Sequence, residues 1–215
     1  MDWFLKIGFN ESHLRFRDHE PDERAHYARF ATDIEYNAPW GWDEMMGIHH
    51  RGDWDLKRHQ EYSGVDMSYN DPQTGEKFIP WDIETSSGVD RPILFLLLDA
   101  YTEDGERIYL KLNPRLAPYK AAVFPLLANK PELVELAKKI RDDLKKNFMI
   151  AWDDRGNIGK RYYAQDEIGT PYCITIDFQT LEDGTVTVRD RDFAKQIRKP
   201  IEELAAYISE AVRGS

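Results

Sequence analysis

Between Ile79 and Tyr101 the chain reads IPWDIETSSGVDRPILFLLLDAY, and the residue types there could hold a ligand that is positive at one end and negative at the other. Strand alternation over Ile79 to Ser86 places Ile79, Trp81 and Ile83 on one face, expected to pack, and Asp82, Glu84 and Ser86 on the other. Glu84 and Ser86 could hold an ammonium group and a hydrogen-bond partner. Ser87 and Gly88 let the chain turn, Pro92 suits a first helical turn, and Ile93 to Leu98 is apolar on every side, as in a helix packed inside a domain. Arg91 then stands at the helix N-terminus, where the macrodipole disfavours a cation by roughly 0.3 to 1 kcal/mol. Its compensator is either a structural ion pair with Asp90 or Glu84, or a bound phosphate-like anion that also uses the free helix N–H groups.

The preceding segments must position this stretch. Asp2 to Ile7 reads as the end of a helix closed near Gly8, a start abrupt enough that further N-terminal material is expected. Leu14 to Asp18 alternates as a half-buried strand, and Asp22 to Phe30 reads as a helix after Pro21. His19, Glu20 and His26 do not have HExxH spacing, and Pro21 interrupts them, which argues against zinc. Thr32 to Tyr36 and Trp40 to Ile48 are predicted as antiparallel strands. In the second, Trp42, Glu44 and Met46 share a face, so Glu44 is either buried and paired or lines a pocket, within reach of a magnesium ion or an ATP group. His49 and His50 point to opposite faces and do not bind a metal jointly. Arg51 is a surface cation or a site residue. Asp53 caps a helix over Trp54 to Glu61 that stops at Gly64, and Val65 to Lys77 is a polar hairpin.

Composition bounds the function. The 215 residues suffice for one large or two small domains, and 13% aromatic content fits a globular protein. The longest apolar run, Ile93 to Leu98, cannot cross a bilayer, and MDWFLKIGFNESH lacks the basic and apolar regions of a secretion signal. A cytoplasmic location is consistent with the single cysteine, Cys173, which excludes an internal disulfide or a CxxC metal site. The net charge of −10 is uneven: residues 1–112 carry 12 Lys/Arg and 23 Asp/Glu, residues 113–215 carry 17 and 16. A phosphate-rich partner should meet the second half.

NPRLAPYK, from Asn113 to Lys120, is the best domain boundary, dividing 1–112 from 113–215. Beyond it, Tyr119 to Leu127 is a strand and Pro131 opens a helix with Leu133, Leu136, Ala137, Ile140 and Leu144 in one stripe. Phe148 to Trp152 is a strand, and the segment from Asp153 to Tyr172 mixes turn residues, bases and aromatics. Tyr172 to Phe178 and Thr185 to Arg189 form a hairpin turning at Glu182 to Gly184, and Pro200 to Val212 is a last helix. This alternation indicates a compact α/β domain. Lys160, Arg161, Tyr162 and Tyr163 either stack on unpaired bases and pair with phosphates, or form a solvated turn with one packed tyrosine.

GVDR ahead of an apolar helix resembles motif 3 of class II aminoacyl-tRNA synthetases, and IETSS and RGDWDLKRHQEYSG resemble homodimeric glycyl-tRNA synthetases. GKRYYAQDEIGTPYCITIDFQTLEDGTVTVRDRD is similar to their anticodon-binding domain. The resemblance, from about Asp2 to Ile208, implies an α/β (α+β) fold: part of the class II antiparallel-sheet core, then an anticodon-binding domain with a mixed sheet. It implies a glycine–tRNA ligase using ATP and Mg²⁺, with glycine and tRNA(Gly) as partners and neither DNA nor membrane involved. Carried over, Glu84, Thr85, Ser86, Ser87 and Gly88 bind glycine, and Glu44, Met45, Gly88, Val89, Asp90 and Arg91 bind ATP. Arg51 and Arg91 are catalytic, Glu44 is the magnesium ligand, and Lys160, Arg161, Tyr162 and Tyr163 contact tRNA.

The match is imperfect: Thr85 stands where the family usually has proline, His49 and His50 replace smaller or amide residues, and Gly52 replaces a hydroxyl residue. Motifs 1 and 2 are not in these residues. The implied chain is a fragment or split subunit, inactive alone, that forms a homodimer or joins the missing half. The alternative is a non-catalytic tRNA-binding or amino-acid-binding module.

Overall fold

The computed structural model describes residues 1–214. Packing divides the chain into two units, one of Met1 with Asn10–Phe95 and one of Asp2–Phe9 with the chain from Leu96 onward. The division falls inside a helix, ahead of Asn113 and Pro114. Helix α1 (Asp2–Ile7) belongs to the second unit and is followed by Gly8 at φ 111°.

The first unit is built on a four-stranded antiparallel sheet of β1 (Leu14–Asp18), β2 (Phe30–Ala38), β3 (Gly41–Gly52) and β6 (Asp82–Ser86), in the order β1-β2-β3-β6. Between β3 and β6 lie α2 (Trp54–Ser63), closed by Gly64 in the left-handed region at φ 68°, and a small hairpin of β4 (Tyr69–Asn70) and β5 (Lys77–Phe78). Residues 22–29 are turns rather than the predicted helix. Side chains replace its backbone bonds there: Arg24 donates to the carbonyls of His19 and Arg29, and Arg17 pairs with Glu23.

Alternation sorts the sheet into two faces. Ile34 and Tyr36 are buried on one, where Phe95 of α3 (Asp90–Ala100) stacks on Tyr36 with centroids 4.8 Å apart. The other carries Arg15, Arg17, Asp33, Glu35, Glu84 and Ser86. A bulge at Met45 keeps Glu44 opposite Glu35 while Ile34 pairs with Met46.

Two expectations about apolar surface are corrected. Trp81 and Ile83 are not buried in a core; they are 61% and 55% exposed, since β6 is an edge strand, and the Trp81 ring meets the His50 ring and the Arg29 guanidinium instead. Nor is α3 buried on every side: Phe95 and Ala100 are buried, but Ile93 and Leu94 are 50% and 46% exposed. One narrow sheet cannot cover the whole circumference of a helix.

The second unit opens with the hairpin β7 (Tyr101–Asp104) and β8 (Arg107–Leu110). Its main sheet is mixed, in the order β10-β9-β11-β12-β13. Parallel pairs join β9 (Ala121–Pro125) to β10 (Ile150–Trp152) and β11 (Tyr172–Ile176), and antiparallel pairs join β11, β12 (Thr185–Asp190) and β13 (Gln196–Pro200). Helices α4 (Pro131–Leu144) and α7 (Leu204–Arg213) bury Leu133, Ala137, Ile140, Leu144, Leu204 and Ile208 in a core with Val123, Ile174 and Val186. Two segments differ from expectation. Residues 158–167 form α5 (Ile158–Glu167), started by Asn157, whose side chain accepts from the Lys160 N–H. The link after β11 is a helix, α6 (Phe178–Asp183), held by a reciprocal cap between Asp177 and Thr180.

Candidate functional site

The first site lies on the polar face of the antiparallel sheet. Strand pairing sets Glu84 opposite His49 and Ser86 opposite Gly47, so one short edge strand delivers both its carboxylate and its hydroxyl to that face. Arg51, two residues beyond His49, donates from Nη1 to Glu84 and from Nε and Nη2 to Asp55 at 2.6 and 2.8 Å. Its guanidinium also stacks 3.9 Å from the Tyr27 ring centroid. These contacts hold the Arg51 guanidinium firmly in its charged form, and the Arg51 hydrogen bond lowers the Asp55 carboxyl pKa. Asp55 and Tyr27 were not found from sequence, since their role depends on where α2 and the 22–29 turns lie.

The space over the buried Gly47 is filled by neighbouring polar side chains. A β-carbon there would lie 3.0 Å from His49 Cε1 and 3.6 Å from both Asp33 Oδ1 and Glu44 Oε1. Asp33 is itself held by His19 Nε2 at 2.7 Å, and the His19 and His49 rings meet edge to face, 6.1 Å apart. Within this group His49 Nδ1 is buried without a hydrogen-bond partner. A buried polar atom left so costs roughly 1–3 kcal/mol.

Arg91, half exposed at the N-terminus of α3, turns to β3 rather than to Asp90 or Glu84: it donates to the Glu44 carbonyl at 2.7 Å, with Asp43 Oδ1 at 3.6 Å and Glu44 Oε2 at 4.0 Å. Ser87 donates to the Met45 carbonyl at 2.8 Å, tying the turn to the bulge. The Met45 side chain is in the core and Thr85 is on the face opposite Glu84, whereas Gly88, Val89 and Asp90 are exposed beside Arg91. Among the described residues no group of three or more His, Cys, Asp or Glu side chains is placed to hold a metal ion. A lone exposed carboxylate such as Glu44 fits magnesium that arrives with nucleotide phosphates, the usual way this ion is held, and does not fit an all-protein cage.

In the second unit α5 separates the basic and aromatic candidates. Arg161 is 2% exposed and donates to the carbonyls of Pro125, Arg155, Gly156 and Asp154 at 2.6, 3.0, 2.9 and 3.2 Å. The Tyr162 hydroxyl lies 2.7 Å from the Thr175 hydroxyl, and burial pushes its pKa up. Lys160 and Tyr163 are exposed, and Arg155 joins Lys160 beside a shallow recess over Gly156. Below them Arg189 forms a bidentate pair with the fully buried Asp166 at 2.8 and 2.9 Å.

The family model for an anticodon binding domain matches residues 120–211. A glycine–tRNA ligase of Caldanaerobacter subterraneus subsp. tengcongensis is 51% identical over 217 residues, which cover 99% of this chain and 46% of the relative. That of Geobacillus kaustophilus is 51% identical over 216 residues (98% and 46%), and that of Staphylococcus haemolyticus 50% over 216 (98% and 46%). The chain thus spans about half the length of the curated relatives it matches.

Proposed function

The chain belongs to the glycine–tRNA ligase family, as the counterpart of its members' C-terminal part, and on that premise we propose that it supplies the glycine end of a ligase site together with the tRNA-binding domain. The observation that carries this reading is the pairing of β3 with β6, which sets Glu84 and Ser86 on one polar face with Glu84 hydrogen-bonded to Arg51. Glu84 and Ser86 receive the glycine ammonium group. The glycine carboxylate attacks the α-phosphorus of ATP and pyrophosphate leaves; the glycyl group then passes to the terminal ribose hydroxyl of tRNA(Gly), releasing AMP. Arg51 steadies the carboxylate and the α-phosphate, and Arg91 with Gly88, Val89 and Asp90 holds the remaining phosphates, so this chain contributes positioning and charge stabilisation. Glu44 holds the nucleotide-borne magnesium, which neutralises phosphate charge when bound.

Residues 1–112 form the core part in this reading and 113–215 the anticodon-binding part, where Lys160 and Tyr163 meet the RNA and Arg161 and Tyr162 hold the helix that presents them. Ile83, Val89, Ile93 and Leu94, apolar and exposed, are the surface against which the rest of a ligase core packs, whether from the same polypeptide or another. Activity therefore requires that complementary part, in a homodimeric cytoplasmic enzyme. Glycine-dependent exchange of pyrophosphate into ATP, measured with the chain and the N-terminal part of a relative, tests the proposal.

One observation favours a second reading, a non-catalytic module that binds tRNA or an amino acid: Arg51 is already engaged by both Asp55 and Glu84, which leaves less of it for a reacting phosphate.

A further inference from the structure

NPRLAPYK has the composition of a flexible joint, yet in the second unit its polar groups are used to hold it still. Asn113 Oδ1 accepts from the Arg115 N–H at 2.9 Å, and the Asn113 carbonyl accepts from Leu116 and Ala117. The partly buried Lys120 ammonium reaches back over this turn and donates to the carbonyls of Pro114, Arg115 and Ala117 at 2.9, 2.8 and 2.8 Å. An ammonium group has three donors, and here each has an acceptor. The upstream end is fastened as well. Arg191, itself buried, donates to the carbonyls of Leu112 and Gly169 at 2.8 and 2.7 Å, while Arg107 of β8 donates to the carbonyls of Arg191 and Asp192. Gly169, at φ 79°, lets β8 lie directly on the turn after α5: a β-carbon there would stand 2.8 Å from Leu112 Cδ1 and 3.1 Å from the Leu110 carbonyl.

The prolines fix φ at their own positions, so ordering this segment forfeits less entropy than an ordinary loop would, and hydrogen bonds from a charged donor are the stronger kind. We infer that residues 107–120 are a locked strut rather than a hinge. The Lys120 ammonium closes the turn over 113–117, the guanidinium groups of Arg107 and Arg191 clamp the end before it, and β8, the linker and the five-stranded sheet move as one body. That body includes α5, whose Asp166 carboxylate lies 3.5 Å from Arg107 Nη1. It begins upstream of residue 120, where the anticodon-binding match starts. A ligand held by α5 therefore meets a platform with no slack between the sheet and β8, which lowers the cost of ordering on binding. The inference is independent of which ligand α5 takes.

The test is amide hydrogen exchange of the whole chain, followed by NMR, in the parent and in Lys120→Met, which keeps the apolar stem and removes the donors. In the parent the Leu116 and Ala117 amides should exchange at least about a hundredfold more slowly than in an unstructured peptide. In Lys120→Met their protection should fall about tenfold, while the amides of β9 and β11 keep theirs. Trypsin should cut the variant after Arg115, which is exposed, at least about fivefold faster than it cuts the parent there. Parent amides at Leu116 and Ala117 that exchange as in an unstructured peptide would overturn the inference without any variant. Unchanged protection at both in Lys120→Met would also overturn it, since the turn would then be held by something else. Loss of protection throughout β9 and β11 in the variant would make Lys120 a general support of the fold and would overturn the local lock.

Discussion

Arg51 of β3 is hydrogen-bonded to Glu84 of β6, so the two residues proposed for opposite ends of one ligand are also partners of each other. The pair is half of a clamp whose other half is Asp55, bound to the same guanidinium through two nitrogens. A ligand ammonium must therefore share Glu84 with Arg51, while Asp55 keeps the guanidinium in place. Asp55→Ala should leave Arg51 held by Glu84 alone and draw that carboxylate away from the ligand. The expected outcome is about fivefold to thirtyfold weaker binding of glycyl-sulfamoyl-adenosine, about 1–2 kcal/mol, in isothermal titration, with an unchanged far-ultraviolet circular dichroism spectrum.

The second unit separates RNA contact from folding. Exchanging Lys160 for Glu or Tyr163 for Ala should weaken binding of a tRNA(Gly) transcript by about tenfold in filter binding, since base stacking and phosphate contacts contribute on the order of 1–3 kcal/mol each. Melting temperature should not move. Arg161→Ala removes the donor to four carbonyls and should lower the melting temperature, with RNA binding failing only as the fold fails.

Much of this arrangement is legible in the sequence where it depends on local pattern. The alternation of Asp82, Glu84 and Ser86, the stop at Gly64 and the helix opened by Pro131 all reappear, because each depends on neighbours a few residues away. What escapes is long-range. The predicted helix over Asp22 to Phe30 gives way to side-chain bonds from Arg24 that no periodicity encodes. Arg161 reads as an RNA contact in a string of bases and aromatics, but its guanidinium reaches the carbonyl of Pro125, 36 residues back. His49 reads only as one of two adjacent histidines on opposite faces of a strand until strand register sets it across from Glu84. Ile93 and Leu94 promise a buried helix, and only the narrow sheet shows that they are uncovered.

The buried pair of Asp166 and Arg189 sets up a stability prediction. Asp166 is fully buried and answers Arg189 with both oxygens, with Arg107 Nη1 3.5 Å from the same carboxylate. Asp166→Ala leaves the buried Arg189 guanidinium without its carboxylate, while Arg107 keeps Asp104 and the Arg191 carbonyl, and should destabilise the second unit by about 3–5 kcal/mol in urea unfolding followed by its tyrosine and tryptophan fluorescence.

Acid should loosen the same unit through Asp177. Burial alone would raise its carboxyl pKa, but the hydrogen bonds from Arg198 and the Thr180 backbone outweigh this and lower it. A carboxyl with a depressed folded pKa stabilises above its unfolded value, about 3.9, and loses that contribution as pH falls through the folded value. The difference in melting temperature between the parent and Asp177→Asn should be constant above about pH 5 and shrink below about pH 4.

The central claim is that this chain holds a competent glycine end of a ligase site that another part completes. Glycine-dependent ATP–pyrophosphate exchange tests it most directly, measured with the chain alone, with the chain mixed with the N-terminal part of a related glycine–tRNA ligase, and with Glu84→Ala in the same mixture. The account predicts no exchange alone, recovery on mixing, and loss again in the variant. Silence from a mixture in which both parts are folded and associated would contradict it and leave tRNA binding as the function of the chain.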